Sequence, residues 1–304
     1  MQAGPSHRPQ LALLIRLGAI AALATMSALI KLASQHGIHL LEIMFWRQFL
    51  TIPIALVWVM ATSGIGALAT KRPGTHLIRG IYGTLGMVLN FGAVILLPLA
   101  EATTMGFSAP IWAVILSTLL LKDKVGAWRW SAVVLGFLGI LVIAQPGGGH
   151  IPLYGALVAL GGAFMVALIS IQIADLNRTE QPLTIVFYFA LFSAPVCALA
   201  MPFVATAHDG FGWLLMLGIG LTGAAGQLLL TAALRFGKVA SVIVMDYSSL
   251  FWATLYGWLL FDFLPPSSTW LGAPLIVIAG LVIAWREHHL ARPAVAEAAI
   301  AEGT

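Results

Sequence analysis

The chain of 304 residues is 60% hydrophobic and 9% charged, with a mean hydropathy of +0.98, whereas a soluble domain carries about 25% charged residues. Its one cysteine, Cys197, excludes an internal disulfide and a cysteine-built metal site. A net charge of +4 and a pI near 9.5 would suggest nucleic acid in a soluble protein, but in a chain this apolar the basic residues report membrane topology, and no nucleic-acid partner is expected.

Apolar runs broken by Gly, Pro or charge predict ten membrane-spanning helices, because one crossing takes about 20 residues. In chain order they are 11–33, 40–61, 77–97, 99–121, 127–145, 151–175, 183–205, 212–234, 239–261 and 269–285. Strands are excluded because membrane strands are shorter and alternate with period two. The first run follows a basic stretch, and "ALA" at 22–24 imitates a signal-peptidase site. Arg16 interrupts the would-be apolar core, however, so an uncleaved helix is expected. Lys31 of span one and Glu42 of span two flank the short 34–39 loop at similar depth, which predicts an ion pair near the outer face. Arg47 lies farther inside span two, about 10 Å deep at 1.5 Å per residue. It serves either as glue to backbone carbonyls or as a contact for a substrate carboxylate or phosphate.

Span three offers Tyr82 and Asn90 as polar contacts. In span four, Thr104, Ser108 and Trp112 share a face at i, i+4, i+8. Span eight carries Gln227 and the run "GIGLTG" at 218–223, a dinucleotide fingerprint only in spelling, since no strand precedes it. The glycines there, with Gly83 and Gly86, suit close helix contact. Span nine carries Asp246, Tyr247, Ser248 and Trp252. A deep carboxylate is costly in a bilayer. Asp246 therefore pairs with Arg47, meets a substrate amine or carries a proton. The hydroxyls and tryptophans either frame a cavity or pack helices. His288 and His289 read as solvated flank, and the Ala-rich "ARPAVAEAAIAEGT" as a frayed cytosolic tail.

With a cytoplasmic N-terminus, thirteen of the fifteen Lys and Arg residues fall in or beside cytoplasmic segments: Arg8, Arg16, Lys71, Arg72, Arg79, Lys122, Lys124, Arg129, Arg178, Arg235, Lys238, Arg286 and Arg292. The opposite loops, including the one with His150, hold none. Sliding the chain along itself until "LVIA" at 141–144 meets "LVIA" at 281–284 also superposes Phe107 on Tyr247, Ser108 on Ser248 and Trp112 on Trp252. That offset contains five spans, an odd number, so the second copy is inverted. Such repeats mark transporters whose site lies where the copies meet.

The stretch "FWRQF" at 45–49 and the segment 79–147, which begins "RGIYGTLG" and ends "LVIAQPG", resemble the drug/metabolite transporter superfamily, in particular its EamA-type members with two five-helix repeats. The resemblance covers nearly the whole chain. It implies a proline in the fourth helix, matched by Pro110, and an acidic residue after it, Asp123. The second repeat has Leu250 and Asp262 at the corresponding places. The resemblance also implies transport, with export of an amino-acid or drug-like substrate as the first reading and import of a riboflavin- or S-adenosylmethionine-type compound as the alternative. An intramembrane enzyme is the rival from another class, for which only Asp246 and Arg47 lie deep enough.

The expectation is an all-α polytopic membrane protein of ten transmembrane helices in two inverted five-helix repeats, residues 1–145 and 146–304, with both termini on the cytoplasmic side of a bacterial inner membrane. No enzymatic activity, cofactor or metal is expected. Candidate partners are a small-molecule substrate, the lipid bilayer, a coupling proton carried by Asp246, and a second copy of the chain. The expected substrate site lies between spans four and nine, walled by Trp112, Tyr247 and Trp252 and contacted by Ser108, Ser248 and Asp246. Arg47, Tyr82, Asn90 and Gln227 are further polar contacts.

Overall fold

Inside a bilayer an apolar run can satisfy its backbone N–H and C=O groups only within itself or in a closed barrel. The computed structural model describes residues 9–120, 126–145, 151–236 and 244–301, and among them the runs are helical with no strand. The helices are α1 (Pro9–Gln35), α2 (Leu40–Thr62), α3 (Pro73–Leu96), α4 (Leu99–Gly106), α5 (Ala109–Leu120), α6 (Ala127–Ala144), α7 (Leu153–Leu176), α8 (Pro182–Ala198), α9 (Met201–Val204), α10 (Gly210–Phe236), α11 (Ser249–Phe261) and α12 (Ser267–Ala301). Short 3-10 turns cover Ile65–Leu68 and Val244–Ser248. Eight helical stretches among the described residues are long and apolar enough to cross a membrane, and α8 is a shorter apolar helix. Arg8, Lys122, Asp123, Lys124, His150 and Lys238 lie outside the described residues, as do the side chains of Arg235, Arg286, His288, His289 and Arg292.

The main helix contacts all join the part before Gln145 to the part after Ile151. α1 packs against α10, α3 against α7, α2 against α8, and α6 against α12. The core is therefore the seam itself. Small residues make it tight: a Cβ on Gly272 would stand 2.6 Å from the Gly139 carbonyl, and one on Gly220 would stand 2.3 Å from Leu50. The "GIGLTG" run lies within α10 and supplies this packing, with no phosphate loop. The outer surface carries exposed Leu14, Val57, Ile81, Leu138 and Phe251, as a lipid-facing wall requires.

Two local expectations are corrected. The sequence predicts fraying over 291–304, but α12 continues to Ala301, in keeping with the high helix propensity of its Ala and Glu. The two "LVIA" phrases also end differently. Gln145 takes a left-handed cap with φ 38° after α6, whereas Trp285 stays inside α12. Asp262, on the acidic position of the second half, is likewise a left-handed cap, with φ 49°, closing α11.

Candidate functional site

Helices α5 and α11 begin at Ala109 and Ser249, separated by the same offset as the two "LVIA" phrases. Each follows a break, after Phe107 and Ser108 in one half and after the 244–248 turn in the other. The equivalent rings of Phe107 and Tyr247 touch edge to face at 4.9 Å between centroids, as equivalent residues can do only beside the axis relating their helices. Ser108 holds its break together: its hydroxyl donates to the Met105 carbonyl at 2.7 Å, and its own carbonyl accepts from the Ile111 and Trp112 N–H groups. Pro110 occupies the first turn of α5, where a missing N–H costs nothing. Leu250 at the same place in α11 shows that the break does not need proline.

One cavity lies beside these breaks, and two more share a wall residue with it. The first, of about 270 Å3, is enclosed by Ile20, Leu23 and Ser27 of α1, Leu99, Thr103 and Phe107 of the α4 segment, Leu230 of α10, and Asp246 with Ser249. The second, of about 180 Å3, is walled by Arg47, Gln48, Thr51, Arg79, Asn177, Val186, Phe189, Gln227 and again Leu230. A third, of about 280 Å3, contains Lys31, Leu97, Phe261 and again Leu99. Leu230 separates the second from the first, and Leu99 the first from the third. The second reaches the surface at the α7–α8 turn, where Asn177 and Pro182 are exposed. This is the basic end of the bundle, which carries Lys71, Arg72 and Arg178.

The charged groups of the first two cavities are arranged differently. Asp246 receives a two-pronged contact from Arg16, Nε to Oδ1 at 2.7 Å and Nη2 to Oδ2 at 2.6 Å. Arg47 has no carboxylate among the described residues. Its Nη1 donates to Gln48 Oε1 at 2.6 Å, it faces the sulfurs of Met26 and Met87 at 3.3 and 3.2 Å, and its cation sits 5.5 Å from the centre of the Phe91 ring. Arg79 lies over the Phe189 ring at 4.3 Å, and its buried Nε and Nη1 have no hydrogen-bond partner among the described residues.

Each end of the bundle holds a histidine facing a glutamate. At the end opposite the basic one, His208 Nε2 stands 2.7 Å from Glu42 Oε1, with both side chains buried. The Trp213 ring packs on His208, and Trp46 packs on Trp213. At the basic end, His76 Nε2 is 3.9 Å from Glu180 Oε1. There the glutamate accepts from the Thr70 hydroxyl at 2.6 Å while His76 lies against Tyr188. In the loop before α10, the Gly212 N–H and the His36 ring bonded to Asp209 hold that carboxyl below the ordinary value of 3.8.

Several sequence expectations are corrected by this geometry. Lys31 and Glu42 do not pair: Lys31 donates to the carbonyls of Val94, Ile95 and Leu97 at the end of α3, a favourable place for a cation, while Glu42 turns to His208. Asp246 pairs with Arg16, not Arg47. Arg16 and Arg79, counted as flanking charge, are buried at 6% and 8% exposure. Depth along the helix cannot reveal this, because a helix also has a direction of facing. The placing of Gly83 one turn after Arg79 is a weak signal for it: a Cβ on Gly83 would stand 2.1 Å from Arg79 Nη1.

The residues named in advance do not converge on one cavity. Asp246 lies in the first, Arg47 and Gln227 in the second, and Tyr247 on a separate surface groove with Trp258 and Trp270. Trp112 is wedged between Phe137 and Phe164, and Trp252 stacks on Tyr256. Trp112 Nε1 and Ser248 Oγ are buried without a partner among the described residues. Asn90 ties α3 to α7 by donating to the carbonyls of Gly86 and Gly162. Tyr82 faces outward, 36% exposed.

The profile of the EamA-like transporter family matches residues 10–145 and 153–285. The chain is 29% identical over 276 residues to a riboflavin transporter of Vibrio cholerae, covering 90% of this chain and 92% of that one. It is 29% identical to a pseudopaline exporter of Pseudomonas aeruginosa, covering 86% and 91%, and 26% identical to an S-adenosylmethionine uptake transporter of Rickettsia felis, covering 82% and 84%. A crystal structure 22% identical in sequence superposes with a TM-score of 0.62 over 93% of this chain and 99% of that one, so the fold is shared. The protein is thus a multi-pass membrane transporter of small metabolites, not an enzyme, and it belongs to the EamA-like transporter family.

Proposed function

We propose that this transporter exports a small organic metabolite by alternating access, with residues 1–145 and 146–304 rocking about the cavities at their seam. The observation that carries the reading is the second cavity. Its walls come from α2 and α3 on one side and from α7, α8 and α10 on the other, and it sets guanidinium, amide and hydroxyl groups in an apolar box, the ordinary character of a ligand site. With the buried Arg16 and Arg79 set aside, the eleven other basic residues of that group support a cytoplasmic position for both termini. The cavity then opens to the cytoplasm, and the His208–Glu42 end faces outward. Reporter fusions at Gly149 and at the C-terminus should fall in opposite compartments, and a shared compartment would refute this orientation.

Asp246 is the coupling group in this reading. A proton on its carboxylate would release Arg16 in the first cavity, which shares the Leu230 wall with the substrate cavity. In proteoliposomes loaded with amino acids and drug-like compounds, an inward proton gradient should drive efflux. Asp246→Asn should abolish the gradient dependence while leaving exchange between labelled and unlabelled substrate. Undiminished proton-driven efflux in that variant would remove Asp246 from the role. Efflux no faster than from empty liposomes under every gradient would defeat the transport assignment for those compounds. The riboflavin and S-adenosylmethionine relatives support uptake as the second reading, and the same assay with the substrate gradient reversed decides the direction.

A further inference from the structure

We infer that the second cavity is an anion subsite: the metabolite carried is an organic anion whose carboxylate or phosphate sits between the guanidinium groups of Arg47 and Arg79. This rests on the transport reading above and narrows its substrate. Arg47 is 5% exposed and Arg79 8% exposed, and among the described residues neither has a carboxylate within salt-bridge distance. The same chain supplies a buried arginine with an acid where it needs one, as Arg16 and Asp246 show. Two buried cations in one apolar cavity are costly unless a charge of opposite sign joins them.

The buried side-chain atoms of the cavity that lack a partner among the described residues all have the same chemistry. Arg79 Nε, Arg79 Nη1 and Gln48 Nε2 are buried without a partner, and each is a donor. A ligand that completes the site must therefore be rich in acceptors. Arg47 is bonded to an amide oxygen and two thioethers, and thioethers are weak acceptors that an oxyanion displaces. Room for the guanidinium groups is built into the helices: Gly83 lies against Arg79, and a Cβ on Gly223 would approach Arg47 Nε to 3.3 Å. The planar arginine fork suits a carboxylate or phosphate and gains nothing special from a neutral ring. Ile185, Val186 and Phe189 leave an apolar wall for the rest of the molecule.

The test uses the full chain in nanodiscs of zwitterionic phosphatidylcholine, which removes anionic headgroups as a competing source of phosphate. Two matched pairs, nicotinate with nicotinamide and riboflavin 5′-phosphate with riboflavin, are titrated calorimetrically with inorganic phosphate as competitor, and the same compounds are followed by flux in liposomes. An anion should bind at least about 10-fold more tightly than its neutral partner. Arg79→Gln should weaken that anion roughly 10- to 100-fold and leave the neutral compound unchanged, and Arg79→Lys should recover part of the loss. Arg79→Lys keeps the charge, so equal elution and helix content for the two variants separate a lost contact from a lost fold. If no anion in the set depends on Arg79, the inference is overturned. Flux of a neutral member would then leave the transport reading standing, whereas no flux of any member would withdraw that reading for these compounds as well.

Discussion

The two ends of the bundle use the same two residue types, a histidine and a glutamate, at different separations. His208 and Glu42 are 2.7 Å apart and buried under Trp213, whereas His76 and Glu180 are 3.9 Å apart. The placement corresponds in the two halves. Each glutamate sits in or just before the first turn of a second helix, α2 or α8, and each histidine in or just before the first turn of a third, α3 or α10. The longer separation exceeds the reach of a hydrogen bond, while the shorter is a good one. Both ends are nevertheless tied across the seam, one by His208 and Glu42, the other by Thr70 with Glu180 and Arg72 with Asp175, beside the cavity that reaches the surface at Asn177 and Pro182.

Breaking the engaged pair should have the largest effect. Glu42→Ala leaves the buried His208 ring without its acceptor, a loss of about 1–3 kcal/mol. In a Cys197→Ala background carrying Val186→Cys, an impermeant thiol reagent applied from the His208 end should react at least about 10-fold faster than in the parent. An unchanged rate would mean that this pair does not hold the end closed. Replacing Gly272 by alanine should come next. The added methyl meets the Gly139 carbonyl and Ile143, so α6 and α12 are pushed apart at a cost of about 1–3 kcal/mol. Thermal melts should register that loss while the labelling difference between the ends persists. If the difference disappears, the α6–α12 contact belongs to the moving parts.

Glu180→Ala should change accessibility much less than Glu42→Ala, because it removes the bond from Thr70 while Arg72 with Asp175 and Thr184 with the Ala67 carbonyl still tie that end. An effect as large as that of Glu42→Ala would erase the asymmetry between the ends. The smallest effect is expected at Asp209→Ala, which removes the bond to the Gly212 N–H at the start of α10. Because the folded carboxyl titrates below its ordinary value of 3.8, its stabilisation is present above that pH and lost as the pH falls through the depressed value. Melting curves of parent and variant should differ slightly near neutral pH and converge in strong acid.

Much of the architecture was legible because a bilayer restricts what an apolar run can become. The internal repeat was legible too, and it recovers the Phe107–Tyr247 contact and the matched starts of α5 and α11. Which way each side chain faces was hidden. Lys31 and Glu42 are at the same depth, yet one turns to the end of α3 and the other to His208. Trp112 and Trp252 sit one period apart, yet each is taken up by its own aromatic neighbours. Arg79 resembles ordinary flanking charge until α8 brings Phe189 over it. The second cavity is built by α2, α3, α7, α8 and α10 together, and no window of sequence contains more than a fragment of it.

The bond between Arg16 and Asp246 also sets an order of assembly. The partners are 230 residues apart in the chain, and a ribosome adding roughly 5–20 residues per second takes on the order of 10–50 s to make that interval. Throughout most of it α1 is in the membrane without α10, its main neighbour, and without the acid that neutralises its arginine. A long arginine side chain can reach the headgroup region while it waits. Helix α1 therefore gains its partner acid only once the 244–248 turn has been made, and a nascent chain that stops short of Asp246 leaves Arg16 without it.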